Sequence, residues 1–424
     1  MLDTAVYLEY VKILEEELVP AMGCTEPIAV AYCAARAAEA LGARPESVDV
    51  RASASIIKNV KSVVVPNTKG RRGIEASAAA GIVSGNAGAE LQVLASLSPE
   101  QIEELDAYLA AVPITVGYSE REWVFDIQVT VKAGPHSAFC EIAGHHTNVI
   151  RLERDGEALI DLPFVEQVNE HATDRSLLNV EDIVEFANTV HIDDVRRVLE
   201  RQIECNTAIA DEGLRGDWGA NIGRILLQSG GMSVQNRAKA YAAAGSDARM
   251  NGCELPVIIN SGSGNQGLTA SLPVIVFARE LGVSHELLLR ALCVSNLVTI
   301  HIKTGIGSLS AYCGATAAGC GAAAGINYLY GGQYTDIAHT VVNAIAIDSG
   351  MICDGAKASC AAKIASAVGA GLLGMYMHMH KSQFYGGDGI VVKGVENTIR
   401  NIGILASDGM RETNRTIIKM MTGS

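Results

Sequence analysis

Four of the ten cysteines in this 424-residue chain, Cys313, Cys320, Cys353 and Cys360, fall within 48 residues, in a stretch rich in Ala and Gly and poor in aromatic residues. Cys313 follows Ala311-Tyr312 and opens a run of small residues that reads as a long helix, with Cys320 two turns further in. Cys353 and Cys360 are seven residues apart, which in a continuous helix would separate their Cα atoms by about 10.5 Å, too far for thiolates on one compact centre. Asp354-Gly355 supplies a break, so a turn there folds Cys353 back toward Cys360 and the helix begins after the glycine. Cys313, Cys353 and Cys360 then form an incomplete ligand set for an iron-sulfur cluster, three thiolates with one iron left open. Such an iron is a Lewis acid able to hold a substrate. Helix amino termini at these positions favour anionic thiolates. Spacing alone leaves a second reading open, in which each cysteine is a small packing residue among Ala and Gly. No C-x-x-C pair is present, which removes zinc ribbons and ferredoxin-type motifs. Cys33, Cys140, Cys205, Cys253, Cys293 and Cys320 read as core residues.

A second cluster of chemistry is Asn260-Ser261-Gly262-Ser263-Gly264-Asn265-Gln266-Gly267, between the apolar run 255–259 and a helix. Backbone N–H groups and side-chain donors at a helix amino terminus make a carboxylate or phosphate cradle, although an ordinary turn has the same composition. The run matches neither Walker A nor G-x-G-x-x-G, which disfavours nucleotides. Cys24, in Gly23-Cys24-Thr25-Glu26-Pro27, lies where a helix should start, with Glu26 and Pro27 suited to its first turn. His145 and His146 fall in a strand context, so at most one faces any site. Asn59 and Lys61 mark either a domain junction or a hairpin turn, and His378 and His380 read as packing or surface residues.

The elements that must position these groups divide by periodicity. Helical patterns over 4–20 and from Thr25 to about Gly42 are followed by β-branched alternation at 48–57, 62–65, 123–131, 137–142, 147–152 and 158–162, interrupted by helices near 74–84 and 99–111. Beyond Asp174 strand signals nearly vanish, and helices follow at 193–211, 234–250, 267–281 and 286–298. The expected class is α+β, a mainly helical catalytic domain (1–45 plus 170–424) with an inserted smaller α/β domain (46–169). A net charge of −14, pI about 5.2 and a mean hydropathy of +0.21 fit a globular chain with a large core. They argue against nucleic acid and anionic membrane as partners and favour small molecules. No apolar stretch reads as long enough to span a bilayer and no export signal is visible, so the expected location is cytoplasmic. The apolar Ala/Gly helices admit a homodimer.

Taken together, Gly23-Cys24-Thr25-Glu26-Pro27, the Ser261 to Gly267 turn, Tyr312-Cys313-Gly314-Ala315, and Met351-Ile352-Cys353-Asp354-Gly355-Ala356-Lys357 with Cys360 resemble the iron-sulfur L-cysteine desulfidase family, related to the bacterial iron-sulfur L-serine dehydratase α chain. The resemblance covers nearly the whole chain and is strongest in the helical part. It implies an oxygen-sensitive [4Fe-4S] cluster on Cys313, Cys353 and Cys360, and an α,β-elimination of L-cysteine to pyruvate, ammonia and sulfide without pyridoxal phosphate. The dehydratases have an interval of eleven residues from one to the other of their last two cluster cysteines where this chain has an interval of seven, which favours the desulfidase side. Within that picture Cys24 is the general base or, alternatively, a fourth ligand displaced by substrate. Ser261, Gly262, Asn265 and Gln266 grip the substrate carboxylate. Lys303 either neutralises that carboxylate or is a solvated loop residue. The rival functions are an L-serine dehydratase and a non-catalytic, redox-responsive iron-sulfur protein.

Overall fold

A computed structural model describes residues 2–23, 25–121, 123–164, 173–307 and 310–422. Helix α1 (Thr4–Glu17), the short strand β1 (Pro20–Met22) and helix α2 (Thr25–Leu41) lead into β2 (Ser47–Ala52), α3 (Ala54–Val60), α4 (Gly73–Ser84) and α5 (Pro99–Ala111). Five strands follow: β3 (Ile114–Tyr118), β4 (Asp126–Ala133), β5 (His136–Ala143), β6 (Val149–Arg154) and β7 (Glu157–Asp161). The rest is helical, through α6 (Val180–Thr189), α7 (Ile192–Arg215), α8 (Ile222–Gly230) and α9 (Val234–Met250) to the short strand β8 (Pro256–Ile258). It continues with α10 (Gly264–Leu281), α11 (His285–Ile306), α12 (Gly314–Leu329), α13 (Tyr334–Asp348), α14 (Cys360–Met379), α15 (Val395–Ile404) and α16 (Arg411–Thr422). The class is α+β with a mainly helical body, as expected.

The six-stranded sheet runs β3-β2-β4-β5-β6-β7, parallel between β2 and β3 and antiparallel elsewhere. Strict alternation puts Ile127, Val129 and Val131 of β4 and Ala138, Cys140 and Ile142 of β5 on one face, and α2 covers that face. Both amino-terminal helices were expected in the helical body. Instead α1 packs there, through Tyr10, Ile13 and Leu14, while α2 joins the sheet core, because its Ala-rich face lets α4 approach closely. A Cβ on Gly81 of α4 would stand 1.9 Å from the Ala31 carbonyl oxygen of α2. The expected strand at 48–57 stops at Ala52, since Ser53 caps α3 by accepting the Ile56 N–H. The expected strand at 62–65 reduces to an isolated bridge between Val64 and Arg72.

In the helical body α12 is the central element, packed by α10, α11, α13 and α14. Its glycines allow this: a Cβ on Gly321 would lie 2.1 Å from Thr299 Oγ1 of α11, and one on Gly319 would lie 2.5 Å from the Ala367 carbonyl of α14. Such close backbone approach fixes the start of α12, and Cys313 with it, relative to α14. Helices α11 and α14 are long and apolar enough to cross a membrane by length and composition, contrary to the expectation from the sequence, and most of each is buried inside this body.

Candidate functional site

The cysteine pocket is built by two extended segments that pair ahead of two helices. Tyr312 and Ile352 form an antiparallel bridge; the Cys313 N–H donates to the Met351 carbonyl at 3.0 Å and the Cys353 N–H to the Ala311 carbonyl at 2.6 Å. Cys313 is the residue immediately before α12, Cys360 is the first residue of α14, and between Cys353 and Cys360 the chain turns at Gly355, whose φ is +93°. The turn inferred from Asp354-Gly355 is therefore present, and it brings three thiols of distant sequence into mutual electrostatic contact. Burial pushes the Cys313 thiol up to about 12, and its neighbour Cys353 pushes the same way. Burial also raises Cys360, against the Lys357 N–H and side chain. Burial thus disfavours the thiolate forms of Cys313 and Cys360, and a metal bound there would supply the positive charge that favours them.

Among the described residues no three His, Cys, Asp or Glu side chains stand as one single-ion site. A four-iron cluster is wider than one ion and each thiolate binds a different iron, so its ligands surround a volume without converging on a point. Three soft sulfur donors fit such a group better than a hard cation.

Lysines ring this pocket. Asp354 is held by Lys357 Nζ at 2.5 Å and by Lys363, which also donates to the Ile352 carbonyl at 2.8 Å. Burial opposes ionisation of Asp354, yet the two ammonium groups hold it down at about 2. Lys303 is in the last turn of α11, not in a loop, and its Nζ donates to the Gly307 carbonyl. Burial pulls its ammonium down to about 8, against the attraction of Cys353, Glu17 and Cys313. Lys58 of α3 was not anticipated. It is 1 % exposed, its Nζ donates to Asn414 Oδ1 at 2.8 Å, and burial lowers its pKa against Cys353, Asp354 and Cys313.

The turn at Ser261 sits beside this pocket. Asn260 and Ser263 exchange both backbone hydrogen bonds at 3.1 Å, while Ser261 and Gly262 adopt φ of +50° and +73°, as a two-residue I′ turn requires. A buried amide network fixes its base: Asn260 Nδ2 donates to Asn296 Oδ1 at 3.0 Å, Asn296 and Gln202 exchange bonds of 2.8 and 3.0 Å, and Asn206 Oδ1 accepts from Ile258 N–H at 2.8 Å. The Ser261 N–H is already committed to Glu17 Oε2 at 2.5 Å, and Glu17 in turn pairs with Arg175. That leaves Gly262 and the first turn of α10, Gly264, Asn265 and Gln266, as backbone donors. The Gln266 side chain is 6 % exposed and packs on Gly314, where a Cβ would lie 2.6 Å from its amide carbon. Gly314 follows Cys313, so Gln266 joins the turn to the cysteine pocket.

Cys24 lies outside the described residues. On either side of it, Gly23 packs on Pro66 and Thr25 opens α2, while Pro20–Met22 pairs antiparallel with Pro256–Ile258, the strand that leads into the Ser261 turn. Glu26 accepts from Asn59 Nδ2 at 3.1 Å, a contact between α2 and α3 that lies within the sheet core and not at the expected domain junction. His145 and His146 sit in the turn between β5 and β6, not on a strand. His145 is exposed, and His146 packs against Phe125 with its pKa lowered by burial and opposed by Glu26. His378 pairs with Asp336 at 2.9 Å and stacks on His339, away from the pocket, as a packing role predicts. Cys33, Cys140, Cys253, Cys293 and Cys320 are buried, and Cys205 is only partly so.

Comparison with known proteins places this geometry in a lineage. A UPF0597 protein of Desulfitobacterium hafniense is 55% identical over 98% of this chain and 96% of its own length. Others, from Treponema denticola at 45% identity (99% of each chain) and Bacteroides thetaiotaomicron at 39% (98% of this chain, 97% of its own), are similar along their whole lengths. Residues 88–419, which include the Ser261 turn and all three pocket cysteines, match the model of the serine dehydratase alpha chain, and the chain belongs to that family.

Proposed function

We propose that this protein is an L-cysteine desulfidase, eliminating sulfide from L-cysteine to give pyruvate and ammonia. The reading is carried by the packing of Gln266 on Gly314, which sets a carboxylate-binding turn against a three-thiol pocket. In it, Cys313, Cys353 and Cys360 hold a [4Fe-4S] cluster, which when bound supplies a Lewis acid that draws electron density from the leaving sulfur.

The chain's own residues do the rest. The first-turn N–H groups of α10, that of Gln266 among them, hold the substrate carboxylate, which fixes the direction of the Cα–H bond. Cys24 takes the Cα proton, the electron pair forms the Cα–Cβ double bond, and hydrosulfide leaves from Cβ. Aminoacrylate then tautomerises to its imine, and water hydrolyses it to pyruvate and ammonia. Lys303, with an ammonium held near 8 beside Cys353 and Cys313, balances negative charge in the pocket.

The family match supports a second substrate, L-serine, with hydroxide in place of hydrosulfide as the leaving group. Hydroxide is the poorer leaving group, and the short interval between Cys353 and Cys360 resembles the desulfidases, so L-cysteine is preferred. The test is anaerobic reconstitution with iron and sulfide, followed by assays of pyruvate from both amino acids and of sulfide from L-cysteine. The expected result is cluster uptake with faster turnover of L-cysteine. Failure to take up iron refutes the mechanism; faster turnover of L-serine reassigns the substrate.

A further inference from the structure

Arg249, in the last turn of α9, is 6 % exposed, and a guanidinium stays charged at any pH a protein survives. Buried charges need a counter-ion. Among the described residues none is in place: Arg249 takes part in no ion pair, its Nε has no hydrogen-bond partner, and Nη1 reaches only Asn265 Oδ1 at 3.4 Å and the Met250 sulfur at 4.0 Å. The guanidinium lies against the amino end of α10, where a Cβ on Gly264 would stand 2.3 Å from Nε and 2.8 Å from Cζ. Glycine there gives it room. Two residues on, Gln266 Oε1 is also buried and without a partner, while its Nε2 is directed to the Ser261 carbonyl at 3.4 Å. The end of α10 thus carries an unpaired cation and an unpaired acceptor, the complement of the carboxylate and ammonium groups of a zwitterionic α-amino acid.

The geometry points to Arg249 as the residue that pairs with the substrate α-carboxylate, with Gln266 Oε1 accepting from the α-ammonium group. The inference rests on the elimination reading for its substrate class and refines which side chain bears the charge. Charge-assisted hydrogen bonds are the stronger kind, so losing them costs about 10- to 150-fold in affinity for a carboxylate ligand.

Wild type, Arg249→Gln and Arg249→Lys, each reconstituted and checked for iron content and melting temperature, are titrated with L-cysteine and with cysteamine, which lacks the carboxylate. Arg249→Gln is expected to raise KM for L-cysteine by that factor, to leave cysteamine inhibition within about two-fold of wild type, and to keep its iron; Arg249→Lys recovers part of the loss. Unchanged L-cysteine binding overturns the inference, as does an equal loss for both ligands, which marks a structural role. If Arg249→Gln does not fold, Arg249→Lys decides by the same ratio. Calorimetry with pyruvate on the cluster-free proteins separates the two levels. Pyruvate binding that disappears in Arg249→Gln upholds the carboxylate site even where elimination fails, and no pyruvate binding by wild type overturns the site.

Discussion

Replacing Gly355 by alanine should empty the cysteine pocket of iron without touching a ligand. The backbone at Gly355 has φ +93°, and a Cβ built there lies 2.1 Å from the Lys58 carbonyl oxygen. The conformation alone costs about 1–3 kcal/mol for a residue with a side chain. The overlap then demands a shift of roughly 1 Å, since ordinary contact begins near 3.4 Å. Lys58 is a poor candidate to move, because it sits inside α3 and its side chain is held to Asn414. The loop from Cys353 to Cys360 must give instead, and metal-ligand distances tolerate only about 0.2 Å. Anaerobic reconstitution of Gly355→Ala should therefore give iron per chain at least about five-fold below wild type, while the metal-free protein melts only a few degrees lower. Gly350→Ala is the control: it is nearby, exposed, has no atom within 4 Å of its Cβ and is not at positive φ, so its iron content should equal wild type. Wild-type iron in Gly355→Ala, or an equal loss in Gly350→Ala, would refute the reasoning.

Three further outcomes follow from the same geometry. Cys313→Ala, Cys353→Ala and Cys360→Ala should each abolish the visible absorption of the reconstituted protein, while Cys320→Ala keeps it; Cys24→Ala should keep the iron and lose turnover, and iron loss there would make Cys24 a ligand. Lys58→Met, which conserves length and removes a buried charge, should leave secondary structure intact and speed iron loss to a chelator by about 5- to 30-fold, since a unit charge some 10 Å away is worth roughly 1–2 kcal/mol at an effective dielectric of about 20. Asp247 is buried with one carboxylate oxygen unpartnered, and burial lifts its pKa to about 6. An acid raised on folding contributes full stability below its unfolded pKa and loses it as pH rises through the folded value. Asp247→Asn should therefore stabilise the protein more at pH 8 than at pH 5, by about 1–2 kcal/mol, since part of the loss has already occurred at pH 5; a gain in melting temperature confined to acid pH would contradict the assignment.

How much was legible depends on whether a signal is local. The turn at Asp354-Gly355 and the helix starts at Cys313 and Cys360 follow from glycine and capping chemistry, so the pocket could be drawn from spacing. The same holds for Pro99–Ala111 and Val234–Met250, whose Ser98 and Ser233 caps are sequence neighbours. Strands Pro20–Met22 and Pro256–Ile258 are too short for alternation to register, and Ile114–Tyr118 was missed because it is a sheet edge with a mostly exposed pattern. Lys58, Glu17 and Arg249 had no signal at all. A charged residue announces itself only when buried, and burial here comes from elements hundreds of residues apart, as in the contact of Lys58 with Asn414.

That contact bears on what the sheet-bearing part of the chain is for. Helix α3 leaves β2 at Ser53 and delivers both the Lys58 carbonyl, which abuts Gly355, and the Lys58 ammonium, which faces Cys353 and Asp354. Helix α2 lies on the sheet while its first turn, through Glu26, is tied to Asn59 of that same α3. The sheet core thus sets the wall of the pocket opposite α12 and α14, and the position of α3 relative to α14 governs whether the Cys353–Cys360 loop keeps its shape. Any displacement of the sheet against the helical body is transmitted through Lys58 and Gly355 to two of the three thiols. The pocket therefore lies at the junction, with α3 of the sheet core on one side and α12 and α14 of the helical body on the other.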